Sequence, residues 1–412
     1  MTRDPDPANE SEPELGSGAV AKQLFPAGLA DGRSFVNRET EYQRLMDDIV
    51  AGRNAWFDCP PRYGVSTLIE RARKDLRPWR EPRITSSDCR LNAVHDSRSF
   101  CDAMLECVGQ LASQVIGRPN VMEEKVARLF AGVDKDIYLD EKHLQTISFD
   151  AGDDPLATLN SVARELETLA AESGCRTVFI VHDMQQLFAL RQQETILNMI
   201  RNMIEFSPSA TWLVHGNNHN AMQRLFQTGE APLQGCCRRF SLRPINASVY
   251  SQYLADAAQT RWRCYIGRKA TAMILTLTDR HPLWFNELCR RLWSSDLPPV
   301  IQDVVNEWGD LVRQNRHITS REMERLSPNQ RAVLRCLAQT PTDQPRAKAF
   351  VRRTRVSSAS VGQAVRILEE QDLIKADPDG RWMVSDPVMQ WSLHPRTDIV
   401  DEIYEVGTDI RW

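Results

Sequence analysis

The feature that most limits the fold is a run of five residues with no charged member, Thr177–Val181 (TVFIV). A strand without polar alternation is covered on both faces, so this run predicts a central strand of a parallel sheet. The segments around it fit that sheet. Glu39–Val50 places Leu45, Ile49 and Val50 on one helical face, and Ala55–Phe57 is a short apolar run. The Pro/Gly turn Cys59–Gly64 follows, then a helix predicted from Ser66 to Leu76. A strand is predicted over Arg83–Leu91, helices over 99–116, 155–173 and 191–206, and a strand over Ala210–His215 (ATWLVH). Residues 117–150 are mixed in pattern and read as an excursion above the sheet. Strands alternating with helices predict an α/β fold, a parallel sheet with helices on both faces.

From about 246 to 316 the pattern is wholly helical, and beyond Ser320 a third unit begins. A chain of 412 residues exceeds what one core organises, which agrees with more than one domain. The net charge of −4 gives no global attraction to nucleic acid, so any such binding has to come from a local patch. No apolar run approaches the roughly 18 residues that span a bilayer. The acidic, Pro/Ser/Gly-rich start (MTRDPDPANESEPELGSG) lacks the features of a signal peptide and reads as a disordered leader. A cytoplasmic protein without membrane contact is the expectation. The ten cysteines contain no C-x-x-C pair and mostly sit in apolar surroundings, which predicts reduced core thiols and no metal site.

Strand, turn and helix over 55–76 have the order of a phosphate-binding loop. Such a loop reads G-x-x-x-x-G-K-[ST], in which the lysine neutralises phosphate oxygens and the hydroxyl holds magnesium. Here the stretch is Cys59-Pro60-Pro61-Arg62-Tyr63-Gly64-Val65-Ser66-Thr67. The second glycine and the hydroxyls are present, Cys59 replaces the first glycine, and Val65 replaces the lysine. With the upstream FVNRETEYQRL, residues 35–76 resemble the opening of the archaeal-type ATPases of the STAND/AAA+ group. Arg38, Glu39 and Glu41 match that opening, with Asn37 in place of its glycine, and Pro61 to Gly64 match its loop.

The resemblance implies an Asp-Glu pair after the next buried strand, the Asp for magnesium and the Glu for the attacking water. The run VFIV is instead followed by His182-Asp183-Met184-Gln185, so His182 and Asp183 stand at those two places. His182 as a base or metal ligand is an alternative; a hydrogen-bonded strand-end histidine is the plainer one. Further on, Gly216 and Asn217 in ATWLVHGNNHNAM resemble the sensor segment, where Asn217 would reach a γ-phosphate or cap the next helix. In DRHPLWFNELCRRLW, His281 and Pro282 resemble the lid motif whose proline packs near adenine, with Arg280 in place of its glycine. The resemblance thus implies a remnant nucleotide site of Arg38, Arg62, Tyr63, Gly64, Val65, Ser66, Thr67, Asn217 and Pro282. ATP or ADP with magnesium is the cofactor it offers.

Residues 327–393 read as three helices and a hairpin. Ser327 and Pro328 open the first helix, Ser357 caps the third, and Asp377–Gly380 forms the turn. That order resembles a winged helix, and VSDPVMQWSL resembles the ending that follows it in the same ATPases. Double-stranded DNA would then meet Ser358, Gln363 and Arg366 on the third helix, with Arg352, Arg353, Arg355 and Arg381 near phosphates. Glu369, Glu370 and Asp372 end that helix and would repel a backbone.

The domains expected are a leader (1–30), a P-loop NTPase-like α/β core (31–245), a helical lid (246–320), a winged helix (321–393) and an acidic tail (394–412). Two half-sites lacking key groups point to a pseudo-ATPase, an adaptor or regulator that assembles with other protein subunits, of its own kind or different. An ATPase switch with a non-standard site and a pure protein scaffold are the alternatives.

Overall fold

The computed structural model describes residues 17–30, 34–36, 38–76, 82–117, 127–128, 130–139, 145–227, 229–377 and 379–394. Most of the expected leader, Asn37, Pro378 and the tail after His394 lie outside them. The described residues fall into two compact units. One holds the segment up to Val36 with Ile245–His317, and the other holds Asn37–Pro244 with Ile318–His394.

The first helix, α1 (Ser17–Leu24), belongs to the former unit. The α/β core follows as α2 (Glu39–Val50), β1 (Ala55–Asp58), α3 (Val65–Leu76), β2 (Arg83–Arg90) and α4 (Ser97–Ile116). A hairpin of β3 (Lys135–Leu139) and β4 (Gln145–Phe149) comes next, then α5 (Pro155–Glu172), β5 (Cys175–His182) and a 3-10 turn, Met184–Ala189. The core closes with α6 (Gln193–Glu205), β6 (Ala210–Val214), α7 (His219–Phe226) and β7 (Arg238–Ser241). Helix ends carry the expected signals. Asp96 and Ser99 form a capping box on α4, Gly117 ends it at φ 72°, and Asp154 with Pro155 opens α5.

The five strands order as β2-β5-β6-β1-β7, all parallel. The TVFIV run lies in β5, hydrogen-bonded on both sides and buried, as its composition requires. Phe179 of β5 stacks on its register partner Trp212 of β6, with ring centroids 4.4 Å apart. The hairpin rests on α4: Ser113 Oγ donates to the Gly109 carbonyl and accepts from Ile147 N at 2.9 Å.

The helical unit contains α8 (Ala247–Trp262), α9 (Arg268–Leu277), α10 (Pro282–Leu292) and the greater part of α11 (Ile301–Arg325). Phe25 is its aromatic centre, edge-on to Tyr253, Phe285 and Trp293. Past α11 come α12 (Pro328–Gln339), α13 (Lys348–Thr354), α14 (Ser358–Glu370), the hairpin β8 (Ile374–Ala376) and β9 (Trp382–Val384), and α15 (Pro387–Ser392). A bridge from Thr342 to Trp382 adds a third short edge to that hairpin. Val333, Leu337, Val361 and Leu368 form its core. No described helix is long and apolar enough to cross a membrane.

Candidate functional site

The loop between β1 and α3 turns through two left-handed residues, Arg62 at φ 64° and Gly64 at φ 91°. Gly64 is demanded by that conformation alone, since a Cβ there would meet nothing within 4 Å. Arg38 fixes the loop. Its buried guanidinium donates to the Tyr63 carbonyl at 3.2 Å and the Arg243 carbonyl at 2.9 Å, and pairs with Glu41. Tyr63 and Cys59 are buried, whereas Arg62 and Ser66 are exposed. Burial, with Asp58 next to it, pushes the Cys59 thiol up to about 12, so it is no nucleophile. Val65 is the first residue of α3, followed by Ser66 and Thr67. The backbone part of this loop fits an anion, because the first N–H groups of a helix lack intrahelical partners. The side-chain part brings no cation beside it at position 65.

At the end of β5 the two acidic places have separate fates. His182 is buried: Nε2 lies 2.8 Å from Asp88 Oδ1 and Nδ1 lies 2.6 Å from His215 Nε2. The carboxylate accepts only, so Nε2 of His182 donates to it and, in the neutral ring, Nδ1 accepts from His215. Burial first, then His182 and Arg90, lower His215 to about 3. For Asp88, burial acts upward but is outweighed by His182 and Arg73, which leave it below its usual range. Asp183, at φ 60°, points elsewhere: its Oδ1 accepts from Asn217 Nδ2 at 2.5 Å. Gln185 Oε1 accepts from the Asn217 backbone at 3.1 Å. The fold therefore unites Asp183 with Asn217 and withdraws His182 into a relay with Asp88 and His215. Pro282 is the first residue of α10, in the helical unit.

A second buried cluster was not anticipated from the sequence. Asp58, the last residue of β1, is 4% exposed; it pairs with Arg239 and lies 2.9 Å from His219 Nδ1, though neither of those two atoms has an aligned hydrogen bond. Burial would raise Asp58, but His219 and Arg239 hold it below its usual range; burial would lower His219, and Asp58 raises it instead. The His219 backbone N–H, at the start of α7, donates to Asp372, and Asn220 Nδ2 donates to Asp372 Oδ1 at 2.7 Å. Asn218 and Asn220 also donate to the carbonyls of Glu370 and Glu369 at the end of α14. The winged helix is thereby pinned to the core by the C-terminal end of its third helix.

All the DNA candidates, Arg352, Arg353, Arg355, Ser358, Gln363, Arg366 and Arg381, are exposed. Arg353 donates to Thr340 Oγ1 at 2.6 Å and Arg366 pairs with Glu370 at 2.8 Å. Arg381 is held by Asp377 at 2.8 Å and Asp379 at 3.4 Å within its own turn. Among the described residues no cluster of His, Cys, Asp and Glu is arranged to hold a metal ion.

Residues 319–394 match the family described as a probable winged helix domain. A Walker-type ATPase of Pyrococcus abyssi is similar over 90% of this chain and 99% of its own, at 18% identity and a TM-score of 0.62. The ORC2 protein of Aeropyrum pernix, solved in ADPNP–ADP complexes, is similar over 94% of this chain and 98% of its own, at 10% identity and a TM-score of 0.55. No characterised protein matched by sequence alone. The fold is that of a P-loop NTPase of the AAA+ type with a C-terminal winged helix.

Proposed function

We propose that the chain is a non-hydrolysing AAA+-type adaptor or regulator, which assembles with protein partners and holds double-stranded DNA through its winged helix. The observation that carries this reading is the closure of His182 between Asp88 and His215, at the strand end where hydrolysis needs a magnesium carboxylate. Magnesium takes oxygen ligands, and both nitrogens of this imidazole are already engaged. Val65 supplies no charge to a β/γ-phosphate, so the residues fit an anion held by backbone N–H groups and do not fit magnesium-triphosphate chemistry. The alternative of a nucleotide switch is favoured by one observation, the Asp183–Asn217 pair, which has the polarity of a phosphate sensor.

Phosphate release and calorimetric titration with ATP and magnesium test the proposal on the purified chain. Turnover at background, with or without duplex DNA, is expected, and sustained release above background would overturn it. A charge-assisted hydrogen bond contributes about 1.5–3 kcal/mol. Val65→Lys should therefore raise nucleotide affinity by about tenfold or more. An unchanged affinity in that variant would favour the working switch.

A further inference from the structure

We infer that the duplex-binding face is the first half of α14 together with Arg346, which lies across Gly362, and that the wing turn takes no part. This rests on the DNA role proposed above. From Gln344 to Leu368 the chain carries five arginines and one lysine and no acid. Arg346 sits in the turn before α13, set by Gln344 N donating to Thr342 Oγ1 and Ala347 N to the Gln344 carbonyl. Its guanidinium runs over α14 at Gly362: a Cβ on that glycine would fall 2.5 Å from Arg346 Nε and 2.7 Å from Cζ. A glycine inside a helix lowers helical stability, and here its missing side chain is the seat of the cation. Ser358, Ala359 and Gln363 are exposed on the same helix, and Arg352 and Arg355 are exposed just before it.

The opposite end of α14 is taken by the core. Asp372 accepts from the His219 amide and Asn220, and Glu370 is paired with Arg366. Glu369, the first of the acids at this end, lies seven positions beyond Gly362 on α14. That is about 10 Å of helix rise, at the limit of the ~8–10 Å over which charges act at physiological salt. The acids at this end therefore oppose a phosphate at Arg346 only weakly. In the wing turn, Arg381 has Asp377 and Asp379 as neighbours, so that turn presents no net positive charge.

The test is fluorescence anisotropy of the full chain with a labelled duplex of random sequence, titrated with salt. Arg346→Ala should weaken binding about tenfold and lower the salt slope by about one. Arg381→Ala should change neither. Gly362→Ala is the separating variant: alanine favours the helix, so the thermal midpoint holds or rises, while the displaced arginine weakens DNA binding. Binding by the parent chain that is unaffected by Arg346→Ala and Gly362→Ala would overturn this inference and leave the DNA role standing. A loss in Arg381→Ala equal to that in Arg346→Ala would also overturn it. No salt-dependent binding by the parent chain would overturn both.

Discussion

His215 donates to His182 and His182 donates to Asp88, so two imidazoles and one carboxylate form a chain with a fixed direction. That chain has a pH signature. The folded His215 holds its proton only near pH 3, whereas the unfolded residue takes one near 6.5, so its stabilising effect is complete above 6.5 and is lost as pH falls toward 3. The slope is at most about 1.4 kcal/mol per pH unit. Asp88, held below its usual range, keeps its stabilising effect above about pH 4 and loses it only as pH falls further, so it adds no slope between pH 7 and 5. Urea midpoints at pH 7 and pH 5 should fall apart for the parent chain and lie closer together for His215→Gln, whose amide still donates. Equal pH sensitivity in both would remove His215 as the cause. The sequence held a clue to this pair: β5 ends in Val-His (IVHD), β6 ends in Val with His next (LVHG), and Val181 faces Val214 in parallel register. Asp88 carried no such clue, because its partner lies 94 positions away and is set by strand order.

At the scale of elements, sequence pattern located the parts wherever period or capping was strong. The central strand, the Pro/Gly turn and the three helices before the wing came from composition, alternation and caps. The edge strand β7 went unread, since its four residues (RRFS) bury only Phe240 and leave no period to detect. The β3–β4 hairpin was read only as a mixed excursion, because it is pinned by Gly109 and Ser113 of α4, a contact between distant segments. One junction is tight enough to predict. A Cβ on Gly216, between β6 and α7, would run into Gln185 Oε1 and lie 2.7 Å from Met222 Sδ. Gly216→Ala should cost about 1–3 kcal/mol in denaturant unfolding by overpacking. It should also move Gln185 off the Asn217 amide. A variant as stable as the parent chain would show that this junction yields freely.

Across the whole molecule, the contact between Asp372 and the start of α7 ties the winged helix to the α/β core. Removing a hydrogen-bonded, half-buried carboxylate costs about 1.5–3 kcal/mol. Asp372→Ala should therefore let the winged helix melt before the core, splitting one calorimetric transition into two. A single transition at an unchanged midpoint would mean that other contacts hold it. Neither partner of this contact could be paired from the sequence, where they are 153 positions apart. One consequence concerns dosage. The docking is a reaction of one chain with itself, at an effective concentration on the order of millimolar. A contact of a few kcal/mol suffices there, yet between separate molecules it would correspond to a dissociation constant of about millimolar or weaker. A free copy of residues 318–394 supplied at micromolar levels would find the seat on α7 filled by its own tethered counterpart, and the arrangement is insulated from competition in trans.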